Sequence, residues 1–153
     1  DLAAAGIDRA HALNSLAGFS LGQLLLRHRA APYCRTSITE RQFQAGMDWA
    51  KLVHRHAAVM GYALSSPKSL SSMLAGSGLS CADDPDKAEI LAVRRKWTVC
   101  YRALEQIAAR NIVYAICIED RPITSMSPAD CQNLRIGLNA LAEVSLRIRY
   151  RAA

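Results

Sequence analysis

Ile38-Thr39-Glu40-Arg41-Gln42-Phe43-Gln44-Ala45-Gly46-Met47 opens the stretch of residues 38–61 whose reading decides the fold. Thr39 is a good helix N-cap, because its hydroxyl can accept a free N–H of the first turn. Gln42, three residues on, completes a capping box, and Ile38 with Phe43 stand where a hydrophobic staple forms. From there Phe43, Met47, Ala50, Val53, Ala57 and Met60 recur at three and four, which is helical spacing. Gly61 supplies the stop, since glycine tolerates the left-handed backbone that ends helices. Gly46 inside this helix costs about 1 kcal/mol relative to alanine, so a neighbouring helix is expected to approach closely there.

The same spacing runs outward in both directions, and no stretch alternates as a strand would. A helix is predicted over Ala3 to Asn14 and another from about Ser20 to Arg29, with Leu24-Leu25-Leu26 facing the core. Pro32 ends the second. Asp84 as N-cap and Pro85 at the first helical position predict a further helix, with Ile90, Val93, Trp97, Tyr101, Leu104 and Ala108 along one face. Arg94, Arg95 and Lys96 fan around its axis and read as solvated surface.

Ile112 to Ile118 is a short, nearly wholly apolar helix that ends at Glu119-Asp120-Arg121-Pro122. The last helix starts with Ser127 as N-cap, Pro128 first and Asp130 third, where a carboxylate suits the positive end of the dipole. Leu134, Leu138, Leu141 and Val144 form its buried stripe; Gln132, Arg135, Asn139 and Glu143 form a polar one. Between residues 62 and 85 lie six serines before Ser80, with Pro67, Gly76 and Gly78. This segment is predicted to be a mobile Ser-rich loop, with room for a short helix from Pro67 to Ala75. The prediction is one all-α bundle of five or six helices over residues 1–153, closed by a helix-turn-helix-like pair. Because the chain starts at Asp1 rather than Met, it is expected to be a piece of a longer protein.

Composition bounds the function. The chain has 153 residues, 51% hydrophobic and 21% charged, which suits one globular domain and excludes wholesale disorder. No apolar run approaches the ~20 residues a membrane-spanning helix needs, so no membrane role is expected. The formal charge of +6 favours polyanions or acidic protein surfaces. The five cysteines are odd in number and lack C-x-x-C spacing, and Cys100, Cys117 and Cys131 lie in apolar stretches. They read as core hydrophobes in a reducing compartment, the cytoplasm.

No catalytic set stands out. Glu119 and Asp120 are sequence neighbours and do not converge on one substrate. His54 and His56 are two apart and point to different faces of a helix. No cysteine or carboxylate is spaced to complete a zinc site, so no metal is expected. Gly76-Ser77-Gly78 lacks the lysine and helix of a phosphate loop. Neither an enzyme nor a cofactor is expected.

The C-terminal pair carries more. In a helix-turn-helix the first helix crosses the DNA backbone and the second sets its N-terminal side chains against base edges. Gln132 and Asn133 can bond an adenine edge, Arg135 a guanine edge, and Asn139 continues the same polar stripe. Arg121, and the free N–H groups after Ser127, can hold phosphates. This reading requires a cation-rich outer surface left open over the pair. The alternative is a module that recruits RNA polymerase or another regulator, with Trp49, Leu52 and Arg55 as anchors, because aromatic and arginine residues dominate interface hot spots. The oligomeric state stays open, a homodimer included.

Three segments also share an order and spacing with a known group. Ser20-Leu21-Gly22-Gln23-Leu24 resembles a Ser-Pro-Leu-x-x-Leu opening. Ile38-Thr39-Glu40-Arg41-Gln42-Phe43-Gln44-Ala45-Gly46 resembles Ile-Ser-x-x-Gln-x-x-Ala-Gly. Leu134-Arg135-Ile136-Gly137-Leu138-Asn139-Ala140-Leu141-Ala142 resembles Leu-x-x-Gly-Leu-x-x-Leu-Ala. Over about residues 18–147 the chain resembles the C-terminal helical domain of phage-related transcription regulators of alpha-class proteobacteria, activators of gene transfer agents among them. The resemblance implies transcription control through DNA or through polymerase, with no catalytic residue. It departs at Leu21, where the pattern has proline, and in the longer Ser-rich middle.

Overall fold

The computed structural model describes residues 15–64 and 86–152. The helix predicted over residues 3–14, most of the 62–85 segment, and Asp84 and Pro85 lie outside the described residues. Among those described there are five α-helices and no strand: α1 (Ser20–Ala30), α2 (Glu40–Met60), α3 (Lys87–Gln106), α4 (Arg110–Cys117) and α5 (Pro128–Ala152). Short 3₁₀ turns at Ser15–Gly18 and Ile123–Ser125 precede α1 and α5.

Local chemistry sets the helix ends. The Thr39 hydroxyl accepts the Gln42 N–H at 3.3 Å, and Gln42 Oε1 accepts the Thr39 N–H at 2.9 Å, so the predicted box forms. Gly61 takes φ +75° and closes α2. The Ser127 hydroxyl accepts the Asp130 N–H at 3.1 Å, and Asp130 Oδ2 accepts the Ser127 N–H at 2.9 Å. The start of α3 differs from expectation. Asp86, not Asp84, is the cap, its Oδ1 accepting the Glu89 N–H at 2.7 Å. A carboxylate three residues before Glu89 is placed to reach that N–H. Ala108 also falls outside the helix it was assigned to, at φ +53° in the connection to α4.

α2 is the central element and packs on each of the other four helices, while α3 and α4 also pack on α5. Leu21, Leu24, Leu25 and Leu26 of α1, Val53 of α2, Leu104 of α3, Ile116 of α4 and Leu134, Leu138 and Leu141 of α5 are buried. Each such side chain stabilises the fold by about 1.5–3 kcal/mol before entropy is counted. The close approach expected at Gly46 is present: a Cβ there would stand 2.7 Å from Leu21 Cδ2 and 3.1 Å from Leu138 Cδ2. α1 begins without a cap of its own. Asp120, 100 residues on, supplies one, its Oδ1 accepting the Ser20 N–H at 2.6 Å. Cys100, Cys117 and Cys131 are free and buried, as their apolar surroundings require. Burial pushes the Cys100 thiol up to about 11 and Cys117 up to about 12. Among the described residues no helix is long and apolar enough to cross a membrane.

Candidate functional site

The N-terminal half of α5 lies beside the connection between α1 and α2. Between them runs a groove of about 520 Å³, lined by Arg35, Thr36, Pro128, Gln132, Arg135, Ile136 and Asn139. Three of the six expected DNA-contacting residues, Gln132, Arg135 and Asn139, meet there because they share one face of α5 at helical spacing. Arg35 and Thr36 come from a loop 100 residues earlier in the chain. The Arg135 guanidinium donates to the Arg35 carbonyl at 3.4 Å, which ties the two walls together. No carboxylate is among the lining residues.

The field of this corner is positive. Cys34, next to Arg35, is held below the usual thiol range by its hydrogen bond to Thr36 and by the charges of Arg27 and Arg135. Cys34 Sγ and Thr36 Oγ1 stand 3.2 Å apart. Gln132 is exposed and Arg135 half-buried, so both remain open to a partner. Asn139 is exposed too, but its Oδ1 already accepts Gln42 Nε2 at 3.0 Å. That leaves its amide N–H donors for a ligand.

The other three behave differently. Asn133 is exposed but does not line the groove. Arg121 folds back on its own turn, with Nε donating to Ser125 Oγ at 3.0 Å and a terminal nitrogen to the Ser125 carbonyl at 3.4 Å. Ser127 is consumed in the capping box. Its backbone N–H and hydroxyl hold the Asp130 carboxyl below the usual carboxylate range. A phosphate at this helix end would meet a carboxylate already seated there, and the Ser127 hydroxyl and N–H that were expected to hold it are engaged with Asp130.

The anchors expected on α2 are also corrected. Trp49 is 4% exposed and Leu52 9%, and both belong to the core. The half-buried Arg55 is paired with Glu89 of α3. Trp49 lines a cavity shared with α3 and α4, and Arg55 reaches α3, so this side of α2 is covered rather than open. A docking module would need other residues.

The sequence reading missed a second concavity. Between α2, α3 and α4 lies a cavity of about 460 Å³, lined by Trp49, Val53, Tyr62, Leu64, Trp97, Tyr101, Arg110, Asn111, Tyr114 and Glu119. Trp97 and Tyr101 stand four apart on α3, which was legible as one helix face. Their partner His56 comes from α2, and nothing local in the sequence announces that meeting. Comparison with protein-family models, curated proteins and solved structures finds no match to this chain.

Proposed function

We propose that this chain is a non-enzymatic transcription-regulator domain that works in the cytoplasm and binds DNA through the groove beside α5. The observation that carries the proposal is the convergence of Arg35, Arg135, Gln132 and Asn139 on one open groove without a carboxylate. Two guanidiniums supply phosphate or guanine contacts, and the amides supply donors for base edges. The groove is walled by a rigid helix on one side, which fixes the spacing of its donors. The charge of +6 adds long-range attraction for a polyanion, and the resemblance in three motif segments points the same way.

The test is duplex binding by fluorescence anisotropy across a salt series. Affinity should fall steeply with salt. The double variant Arg35→Ala/Arg135→Ala should bind more weakly and lower the log–log salt slope by roughly 1.8, about 0.9 per lost phosphate contact. Arg121→Ala should change little, because that guanidinium is engaged in its own turn. Unchanged affinity and slope in the double variant would end the proposal.

A further inference from the structure

We infer that the outer face of α3 is a docking surface for an acidic, amphipathic helix of a partner protein. It shares no residue with the groove beside α5, so this inference stands apart from DNA binding.

The pattern comes first. Ala88, Ala92, Arg95, Val99 and Arg102 follow one another at fours and threes, the spacing of a seam between two helices, and Leu91 stands beside them. All six are exposed, Leu91 at 51% and Val99 at 48%. The opposite side of α3 turns Cys100 and Leu104 into the core and packs Val93 and Trp97 against it, where α2, α4 and α5 meet the helix. Exposed apolar residues scattered singly are ordinary. Here two aliphatic side chains lie on one side of one helix, about 12 Å apart along its axis, with alanines that let a second helix come close.

Charge selects the occupant. Glu89 is paired with Arg55 of α2, and Glu105 lies 3.6 Å from Arg110 of α4, so both acids of α3 are engaged with cations outside this helix. Arg95 and Arg102 stand on the seam, and Arg94 and Lys96 flank it. Among the described residues none of these four cations has a carboxylate within ion-pair distance. A partner that buries Leu91 and Val99 also covers Arg95 and Arg102, and must bring carboxylates to them. A second copy of this face would set like charges against each other. A nucleic-acid backbone would match the arginines but press the two aliphatic side chains against phosphate. A helix with aliphatic residues at fours and threes and Asp or Glu beside them meets both demands.

The experiment uses the full chain labelled with ¹⁵N and synthetic peptides matched to the 20 residues of α3. The first carries leucines at fours and threes with glutamates beside them, which also keep it from pairing with itself. The second has lysine for every glutamate, and the third is the first with its order scrambled. The acidic peptide should move the amide signals of residues 88–102 saturably, and the other two should bind roughly tenfold more weakly or not at all. Arg95→Glu/Arg102→Glu should weaken the acidic peptide roughly tenfold, as exchange of attraction for repulsion at two exposed pairs allows. The same variant should gain affinity for the lysine peptide, which misfolding cannot produce. Leu91→Ser/Val99→Ser should weaken the acidic peptide with the rest of the spectrum unchanged. Absence of saturable movement on α3, equal binding of the acidic and lysine peptides, or binding that survives Leu91→Ser/Val99→Ser would each overturn the inference. So would a DNA duplex that moves the α3 signals, or a dimer of this chain that Val99→Asp dissociates.

Discussion

Gln42 of α2 donates through Nε2 to Asn139 Oδ1 of α5 at 3.0 Å, while its Oε1 accepts the Thr39 N–H at 2.9 Å. One buried amide thus closes the cap of α2 and links that helix to the groove-lining face of α5.

This double use predicts an asymmetry between its partners. Gln42→Ala removes the reciprocal cap contact and the interhelical bond together, and should cost about 2 kcal/mol in urea unfolding. Asn139→Ala loses one bond at an exposed position and should cost about 0.5–1.5 kcal/mol. The double variant should cost less than the sum, because both singles remove the same bond. Strict additivity would show that the 3.0 Å contact contributes nothing.

At Gly46 two effects oppose each other. Alanine there would gain about 1 kcal/mol of helix propensity. Its Cβ would also stand 2.7 Å from Leu21 Cδ2, 3.1 Å from Leu138 Cδ2 and 3.3 Å from Cys117 Sγ, so three helices would have to give way. Overpacking of this kind costs about 1–3 kcal/mol. Gly46→Ala should therefore be mildly destabilising and Gly46→Val severely so, as read by thermal unfolding. A more stable alanine variant would mean that the Leu21 side chain moves aside freely.

What was legible in the sequence was local. Thr39 with Gln42, Ser127 with Asp130, and the stop at Gly61 act within one turn of chain, and each forms as its spacing predicts. The close approach at Gly46 was legible because a glycine inside a good helix has a cost that packing explains. The misreadings are non-local or competitive. The start of α3 was read at Asp84-Pro85, and Asp86 is the carboxylate that caps its first turn. Trp49 stands on a helix covered by several others, and periodicity within one helix does not tell how many neighbours cover it. Arg35 and Thr36 join the groove only because α2 packs on α5 and carries the connection that precedes it to α5, 100 residues away.

His56 makes stability depend on pH. It is buried against Trp97, and its Nδ1 lies 2.7 Å from the Tyr62 hydroxyl. Burial, and then the charge of Arg94, push its pKa below the ordinary value near 6.5. As pH falls through that value the unfolded chain takes up the proton first, so the unfolded state gains. Stability contributed by neutral His56 is full above pH ~6.5 and is lost as pH drops toward the depressed folded value. The melting temperature should fall between pH 7.5 and 5, and less steeply in His56→Phe, which keeps a ring on Trp97. A His56 ring that titrates above ~6.5 in the folded protein would reverse the expected sign.

The last prediction concerns Asp120, which performs two tasks at φ +53°. Its carboxylate caps α1 through the Ser20 N–H at 2.6 Å, and its backbone turns the chain out of α4. The Ser20 hydroxyl binds the same corner, donating to the Arg121 carbonyl at 2.7 Å. Asp120→Ala loses the cap, about 1 kcal/mol, and puts a residue that dislikes the left-handed region there, roughly another 1 kcal/mol. Asp120→Gly loses the cap but relieves the backbone, so it should lie between alanine and the unaltered chain. Asp120→Asn keeps an acceptor and a tolerance for positive φ, and should cost least. Equal losses for alanine and glycine would assign the whole effect to the cap; near-complete recovery by glycine would assign it to the backbone turn and leave the 2.6 Å contact without energetic weight.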